Sequence, residues 1–493
     1  MALLNTNIGP ERVQVIPVPL GTVQLPGVAT SITAFLISTS LVGAPENTPI
    51  AVTDLEAFET TFGTPDDIAH DAYYAVQGFF DNAGTGNTAI IVNVGDSATA
   101  NDYIGSVTDS SGLRALDAID TIGLVVAPGL PIDMAYLVQP ALIDYTETVR
   151  AEFGATLSTS FSLMAMPEDI SRANTELDAA TGAKFVSVAG AGPYVITVDD
   201  GAAGPIDLSA VKPGMVVRDA GLSFVATISA VNDGANTVTV ITDPSAAFVA
   251  TDSVLIKIPS AVSYKETVIN NPSKASAWYF NNVVVTDRSS TASAGDVLVV
   301  DPVGHVAGVM ARIDANIQIG GVSHAPAGIQ FAGLAGILGL GLALSERVDA
   351  EPLRLNFINR ITSFPGAGNV IFGGYTSDSG TSPLLTADEQ LIQVIRALQF
   401  IKGSLERGLR AFLWENFSPE TQSEIGGAIE AFLRNNIHLF PAGLPQAQQF
   451  QVVSVSPTQD DLDKGLLKVR VLVKPNKAVR FIEVALEFPL PTA

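Results

Sequence analysis

The chain contains no cysteine among its 493 residues, which excludes disulfides and thiolate metal sites and leaves its redox compartment undetermined. It has only four histidines, at His70, His305, His324 and His438. None of them has a second histidine or a carboxylate at ligand spacing on a convincing helix. We therefore expect packed or surface histidines, no metal site and no cofactor.

Long hydrophobic runs and an export signal are also missing. The longest candidate, 329–344, is broken by Gln330 and several glycines and is shorter than the roughly 20 apolar residues that a helix needs to cross a bilayer. We expect a buried, glycine-rich packing segment there and no membrane insertion. The first residues lack a basic region followed by an apolar stretch, so we expect synthesis and assembly in the cytoplasm.

Basic residues are scarce, with 26 Lys and Arg against 50 Asp and Glu and a net charge of −24. Because a phosphate-binding surface needs clustered Lys and Arg, this composition predicts no nucleic-acid partner. The imbalance is uneven, since residues 396–493 carry 11 basic and 10 acidic side chains. This near-neutral C-terminal part is suited to contacts with other protein surfaces, whereas the acidic remainder stays solvated.

Motifs that carry chemistry are absent or incomplete. The glycine-rich run 84–89 precedes a predicted strand and opens no helix, so it is a turn and not a dinucleotide site. The run 321–325 lacks the second glycine of a nucleophile elbow. Asp96, Asp301 and Asp314 follow strand-like runs, where enzymes keep acids, but ordinary surface acids also lie there. We expect no catalytic residue and no enzymatic activity.

The N-terminal half reads as an extended arm followed by α/β units. Residues 1–25 form a Pro-rich arm containing Arg12, Val13 and Val15. A first α/β domain, 26–105, follows, with Thr53 as the predicted cap of helix 54–62. The central α/β domain comprises 106–183 and 263–378. Its predicted elements are helices 113–122 and 132–153 and strands 123–127, 160–166, 278–285 and 297–301.

Between the two parts of the central domain, residues 184–262 contain short β-rich runs separated by Asp-Gly and Asn-Asp-Gly turns and no convincing helix. This pattern of short strands and turns predicts an inserted β-barrel or sandwich that faces outward. After it, residues 379–478 form an α+β domain. A capping box at 386–389 opens a helix to about 412, Ser418-Pro419 opens a second helix, and strands 449–455 and 466–473 follow.

The last segment, 479–493, contains an alternating strand whose two faces are both partly apolar. One interpretation is an ordinary hairpin with 467–474 across the turn 474–477. The other is a strand donated to another copy, because an exposed sheet edge accepts a foreign strand through main-chain hydrogen bonds.

Several segments together resemble the contractile tail sheath proteins, the family of phage tails and contractile injection systems. The matching segments are 26–28, 36–45, 58–63, 73–84, 115–129, Gly304–Gly308 with Arg312 and Asp314, 363–366 and 404–409. They occur in the family's order over about 400 residues. The chain departs from the family at 324–328, where a Trp-Lys-Ala-Pro-Ala-Asn type segment is replaced by His-Ala-Pro-Ala-Gly, and 184–262 has no counterpart.

The resemblance implies a multidomain α/β subunit that polymerises as stacked rings around an inner tube and contracts to drive it through an envelope. It implies contacts with other copies, the tail tube, the baseplate and the terminator, in a virion tail or extracellular particle. It also favours strand donation, which would place these residues in a neighbour's sheet: Arg12, Val13, Val15, Val479, Phe481, Ile482, Val484, Leu486 and Phe488.

A tube-facing surface is expected in the near-neutral domain, on the helix that follows Ser418. Its polar residues are Glu420, Glu424, Glu430 and Arg434. Two other functional classes remain open on the sequence alone. One is an α/β hydrolase-like enzyme with an appended β domain, and the other is a surface-array or adhesin protein, which the missing export signal disfavours.

Overall fold

The computed structural model describes residues 25–68, 70–150, 158–170, 173–199, 206–219, 224–244, 248–249, 252–345, 348–378, 390–416, 418–454, 458, 464 and 466–478. They fall into two compact units. The larger contains Val28–Gly403, His438–Gly443 and 475–478, and the smaller contains 25–27, Ser404–Ile437 and Leu444–Lys474.

An eight-stranded sheet forms the centre of the larger unit. Its strands are β1 (Thr33–Ile37), β2 (Ile50–Val52), β3 (Ala89–Asn93), β4 (Leu124–Val126), β5 (Phe161–Ala165), β13 (Ser276–Phe280), β17 (Ile358–Phe364) and β18 (Gly368–Phe372). The order is β18-β17-β13-β5-β4-β1-β3-β2, with six parallel strands between two antiparallel edge strands. Both faces are buried, since Leu36 and Phe35 point into different apolar clusters.

This sheet crosses a domain boundary that the sequence predicts at 105/106. β1 lies between β3 and β4, so strands from the predicted first and central domains are direct neighbours. The physical reason is that parallel strands pair through long crossovers, and the pairing order is therefore not readable from local patterns.

Helices α1 (Leu55–Phe62), α2 (His70–Ala83), α3 (Ala100–Ile104), α4 (Ile132–Asp144), α5 (Ala261–Ser263), α6 (Val303–Ala315) and α7 (Ala350–Leu355) belong to the larger unit. Helix α1 is capped by Asp54, whose Oδ1 accepts from the Ala57 N–H at 2.8 Å, and not by Thr53 as the sequence predicts. The predicted helix 113–122 is a 3₁₀ helix over Gly112–Ala118. After α4, a wider π-helical turn covers Tyr145–Val149.

A second sheet of seven antiparallel strands contains β6 (Leu177–Ala180), β7 (Lys184–Ala189), β8 (Tyr194–Asp199), β9 (Val216–Asp219), β10 (Val225–Asn232), β11 (Thr237–Val240) and β12 (Val254–Ile258). The order is β6-β12-β9-β10-β11-β8-β7. Lys184 also bridges to Ser253, immediately before β12, so β7 returns to the other end of the sheet. The β-rich segment therefore begins at β6, earlier than the predicted residue 184.

A three-stranded sheet holds β14 (Val283–Thr286), β15 (Val297–Val300) and β16 (Gly339–Leu340). The predicted single strand 278–285 is two strands, β13 and β14, because Asn281 has a φ of 101° and breaks the extended backbone. The segment 329–344 packs against the core as predicted but is buried only in part. Ala332 is its one fully buried residue, while Ile329 and Leu338 are 51% and 62% exposed. No helix among the described residues is long and apolar enough to span a membrane.

Helix α8 (Ile392–Gly408) begins in the larger unit and ends in the smaller one. The smaller unit then contains α9 (Pro419–Asn435), α10 (Gln446–Gln449), β19 (Phe450–Ser454) and β20 (Val469–Val473). The Ser418 cap is confirmed, since its Oγ accepts from the Thr421 N–H at 3.2 Å. The capping box predicted at 386–389 lies outside the described residues.

Candidate assembly surfaces

The smaller unit presents a two-stranded sheet backed by a helix. Strands β19 and β20 pair antiparallel, with Phe450 opposite Val473 and Val452 opposite Val471. Helix α9 packs against β19, and its buried face contains Ile425, Ala428, Ile429, Phe432 and Leu433. Among the described residues this sheet has two strands. A two-stranded hairpin alone is marginally stable, and packing against α9 supplies the support that this one needs.

The residues predicted to form inter-subunit strands all lie outside the described residues. They are Arg12, Val13, Val15, Val479, Phe481, Ile482, Val484, Leu486 and Phe488. Their pairing stays a prediction. The hairpin alternative for the terminal strand falls on the same residues and is equally untested.

The four predicted tube-facing residues lie on the polar side of α9. Glu420, Glu424 and Arg434 are exposed, and Glu430 is half-buried. Glu430 and Arg434 form an ion pair at 2.6 Å, and this hydrogen bond lowers the pKa of Glu430. Such exposed pairs contribute little to stability. The charged face of α9 therefore contributes little to folding, in contrast to its buried apolar face.

Trp414 is a surface feature that the sequence analysis missed. Its side chain is fully exposed, and its φ is 72°, in the left-handed region that a non-glycine residue rarely adopts. Leu413 beside it is 65% exposed. The other tryptophan, Trp278, is fully buried, so solvent quenching of fluorescence reports on Trp414 alone. The signal available in the sequence was that Trp414 lies between the two predicted helices, outside both apolar stripes.

In the larger unit, the segment Gly304–Gly308 serves close packing between α2 and α6. A Cβ on Gly304 would lie 1.9 Å from the Ala75 carbonyl oxygen, and one on Gly308 would lie 2.5 Å from that of Phe79. From the opposite helix, a Cβ on Gly78 would meet the His305 ring at 2.4 Å. The glycines therefore let two helix backbones approach more closely than side chains would allow.

Other polar residues of this region are also structural. Arg312 donates to the carbonyl oxygens of Asn82, Phe331 and Gly333, which ties α6 to the end of α2 and to a loop. Asp314 forms a buried ion pair with Arg396 at 2.6 Å. Removing either side chain of such a pair strongly destabilises the fold, because the other charge is left buried and unpaired.

The remaining motif residues show no catalytic arrangement. Ser323 donates to the Gly320 and His438 carbonyl oxygens, so its hydroxyl fastens a loop. His305 is buried, and burial lowers its pKa to about 4. Within the described part of the chain, no group of His, Cys, Asp and Glu could hold a metal ion.

Asp71 and Asp301, near the starts of α2 and α6, interact in the fold although the sequence gives no sign of it. Asp301 accepts from the N–H groups of Val303 at 2.7 Å and Gly129 at 3.2 Å, and burial raises its pKa to about 6. Burial, and then the charges of Asp301 and Glu168, raise the pKa of Asp71 to about 8. The two residues are separated by more than 200 positions, so no local pattern connects them.

The raised pKa values predict how stability depends on pH. Between about pH 4 and 8 the folded state holds these carboxyl protons more tightly than the unfolded state, so stability falls as pH rises through that window. For each group, every unit by which the folded-state pKa exceeds the unfolded one corresponds to roughly 1.4 kcal/mol of unfolding free energy, which is lost as the pH rises. His305 has the opposite effect below about pH 6.5. Its lowered pKa means that the unfolded chain takes up this proton first, so stability falls as the pH falls.

Thermal melts from pH 6.5 to 9 test this expectation, since His305 contributes little there. We expect the melting temperature to fall with rising pH, and Asp71→Asn to flatten that slope and raise stability at pH 8. Asp109→Asn, at an exposed position, is the matched control and should keep the slope. An unchanged slope in Asp71→Asn would mean that Asp71 is already ionised at little cost.

Comparisons with known proteins establish the fold. No protein-family model and no curated protein matches the chain. Among solved structures, it is similar to a chain of the anti-feeding prophage (AFP) baseplate, with 16% identity, a TM-score of 0.61 and coverage of 98% of this chain and 100% of that one.

The AFP helical sheath in the contracted state matches at 16% identity and a TM-score of 0.60, covering 97% of this chain and 99% of that one. The contracted PVC sheath of an extracellular contractile injection system matches at 15% and 0.59, covering 98% of both chains. The chain has a contractile tail sheath-like fold.

Proposed function

We propose that this protein is the structural subunit of a contractile sheath. It polymerises as helical stacked rings around an inner tube and shortens to drive that tube through a target envelope. The observation that supports this most strongly is the end-to-end likeness to AFP and PVC sheath chains, which covers 97–98% of this chain. The proposal includes no catalytic activity and no cofactor.

The contacts that join subunits are proposed to be exchanged strands. The arm 1–25 and the segment 479–493 would extend to neighbouring subunits and add to their β19–β20 hairpins. The hairpin supports this because main-chain groups at a strand edge accept any extended partner. Contacts of this kind do not close after one turn, so they propagate a helix and build a long tube.

The remaining layout follows from the same role. Residues 379–478 would form the inner domain, facing the tube, and the β-barrel segment would face outward. The baseplate and the terminator would contact the ends of the polymer. Assembly would take place in the cytoplasm of the producing cell, and the product would be a virion tail or an extracellular particle.

The charged face of α9 gives a test of the tube contact. We expect the double variant Glu420→Lys/Glu424→Lys to polymerise normally but to bind the tube protein more than about ten-fold less well, because like charges across an interface are costly. Co-sedimentation of preformed tubes with the subunit measures this, and quenching of Trp414 fluorescence reports burial of the neighbouring loop.

The control for this test is Asp96→Lys/Asp109→Lys, which makes the same change in net charge at two exposed positions of the larger unit. It should bind the tube like the unmodified chain. Equal binding by both double variants would show that α9 does not face the tube. The sheath role itself is tested separately, by polymerisation.

A further inference from the structure

A cavity of about 230 Å³ lies in the larger unit at the start of α8. Its walls are mainly apolar, with Ile358, Phe372 and Leu391 among them, and Arg354 and Arg360 also line it. The Arg360 guanidinium lies 4.9 Å from the centre of the Phe372 ring, which fixes a positive charge in the wall. Arg354 is already paired with Glu351 at 2.6 Å, so the walls mainly suit an apolar group.

Gln393 is the feature of the cavity that folding alone does not explain. Its side chain is 1% exposed, and neither its Oε1 nor its Nε2 has a hydrogen-bond partner among the described residues. Burying an unpaired amide is costly, so native structures nearly always satisfy such groups. The side-chain amide places an acceptor oxygen next to an NH₂ donor. A peptide group has the complementary pair, an N–H donor and a carbonyl oxygen acceptor.

Gly374 keeps this amide accessible. A Cβ at Gly374 would lie 3.7 Å from Gln393 Oε1 and 3.8 Å from the Ala325 Cβ, so a side chain there would occupy the space in front of the amide. With glycine, a main-chain segment can approach Gln393 directly.

The chain itself arrives at this cavity. Asn476 is fixed by its N–H, which donates to the Leu439 carbonyl oxygen at 3.0 Å, and Ala478 lies at the rim of the cavity. The segment 479–493 continues from there. In an extended segment Phe481 lies about 10 Å beyond Ala478, and it shares a strand face with Val479 and Glu483.

We propose that the cavity anchors the root of the C-terminal strand of the same chain. The peptide groups of 479–481 would pair with the Gln393 amide, and Phe481 would fill the apolar space. This assigns Val479 and Phe481 to their own subunit and leaves the residues beyond them for a neighbour's sheet. The opposite face, with Ile482, Val484, Leu486 and Phe488, stays available for a neighbouring subunit. The anchor would fix the direction in which the strand leaves its own subunit, a role that rests on the proposed sheath function.

Hydrogen–deuterium exchange of the full chain, dilute enough to be monomeric, tests the anchor independently of polymerisation. We expect the amides of 480–483 to exchange at least about ten-fold more slowly than those of 488–493, and Gln393→Leu to remove this protection. The nearly isosteric Gln393→Leu should leave the amides of β17 unchanged. If it disturbs them, Phe481→Ala provides the same test without altering the described core.

Three results would overturn the anchor. The amides of 480–483 could exchange as fast as those of 488–493 in the unmodified monomer, which would leave solvent as the only occupant. They could keep their protection in both Gln393→Leu and Phe481→Ala. Protection that appears only at concentrations where polymers form would assign the contact to another copy, and would refute the anchor while supporting the sheath function.

Discussion

Replacing Gly304 with alanine is expected to lower the free energy of unfolding by about 3 kcal/mol, near the upper end of overpacking effects. The added Cβ would lie 1.9 Å from the Ala75 carbonyl oxygen and 2.4 Å from its carbon. Both are backbone atoms of α2, so no side chain can rotate away and the two helices must separate. Chemical denaturation of the purified variant measures the loss.

Gly427 provides the matched control because it is a glycine inside α9, and a Cβ added there would meet no described atom within 4 Å apart from its chain neighbours and the backbone of its own helix. Alanine there should stabilise the protein by roughly 0.5–1 kcal/mol, since it removes the entropic cost of a helical glycine. Opposite signs for the two substitutions are the expected result. Equal, small effects would show that α2 and α6 do not pack at the observed separation.

Deleting 479–493 is expected to abolish polymerisation while leaving a folded, soluble subunit, because the lost strand would belong to a neighbour's sheet. Sedimentation velocity across a concentration series measures the polymer, and circular dichroism checks the fold. The unmodified chain should form large species, and the truncated chain should stay monomeric at every concentration.

Point variants show whether the deletion acts through lost strand pairing or only through a shorter chain, because they keep the full length. Ile482→Asp/Leu486→Asp places two charges on the apolar face and should reproduce the deletion. Ala485→Ser/Glu487→Gln alters the opposite face and should still polymerise. Long polymers from the truncated chain would contradict strand donation, whatever the behaviour of the point variants.

Local patterns predicted elements well where one signal dominated. Ser418 followed by Pro419, with an apolar stripe ending at Leu433, predicted α9, its cap and its buried face. The two strands of the hairpin were also predicted to within a few residues. In these segments the cap, the period and the burial all indicate the same structure.

Features that depend on distant partners could not be predicted in this way. The placement of β1 between β3 and β4 depends on crossovers, and the pairing of Asp71 with Asp301 depends on two helix starts meeting in space. The exposure of Ile329 and Leu338 shows that an apolar, glycine-rich composition does not by itself indicate burial. The unpaired amide of Gln393 became visible only once its surroundings were known.

The most direct test of the sheath function is negative-stain electron microscopy of the purified chain across a concentration series, alone and with its candidate tube protein. A sheath subunit should form striated hollow tubes, with an inner tube inside them when the tube protein is present. A chain that remains monomeric in both conditions would contradict the sheath function.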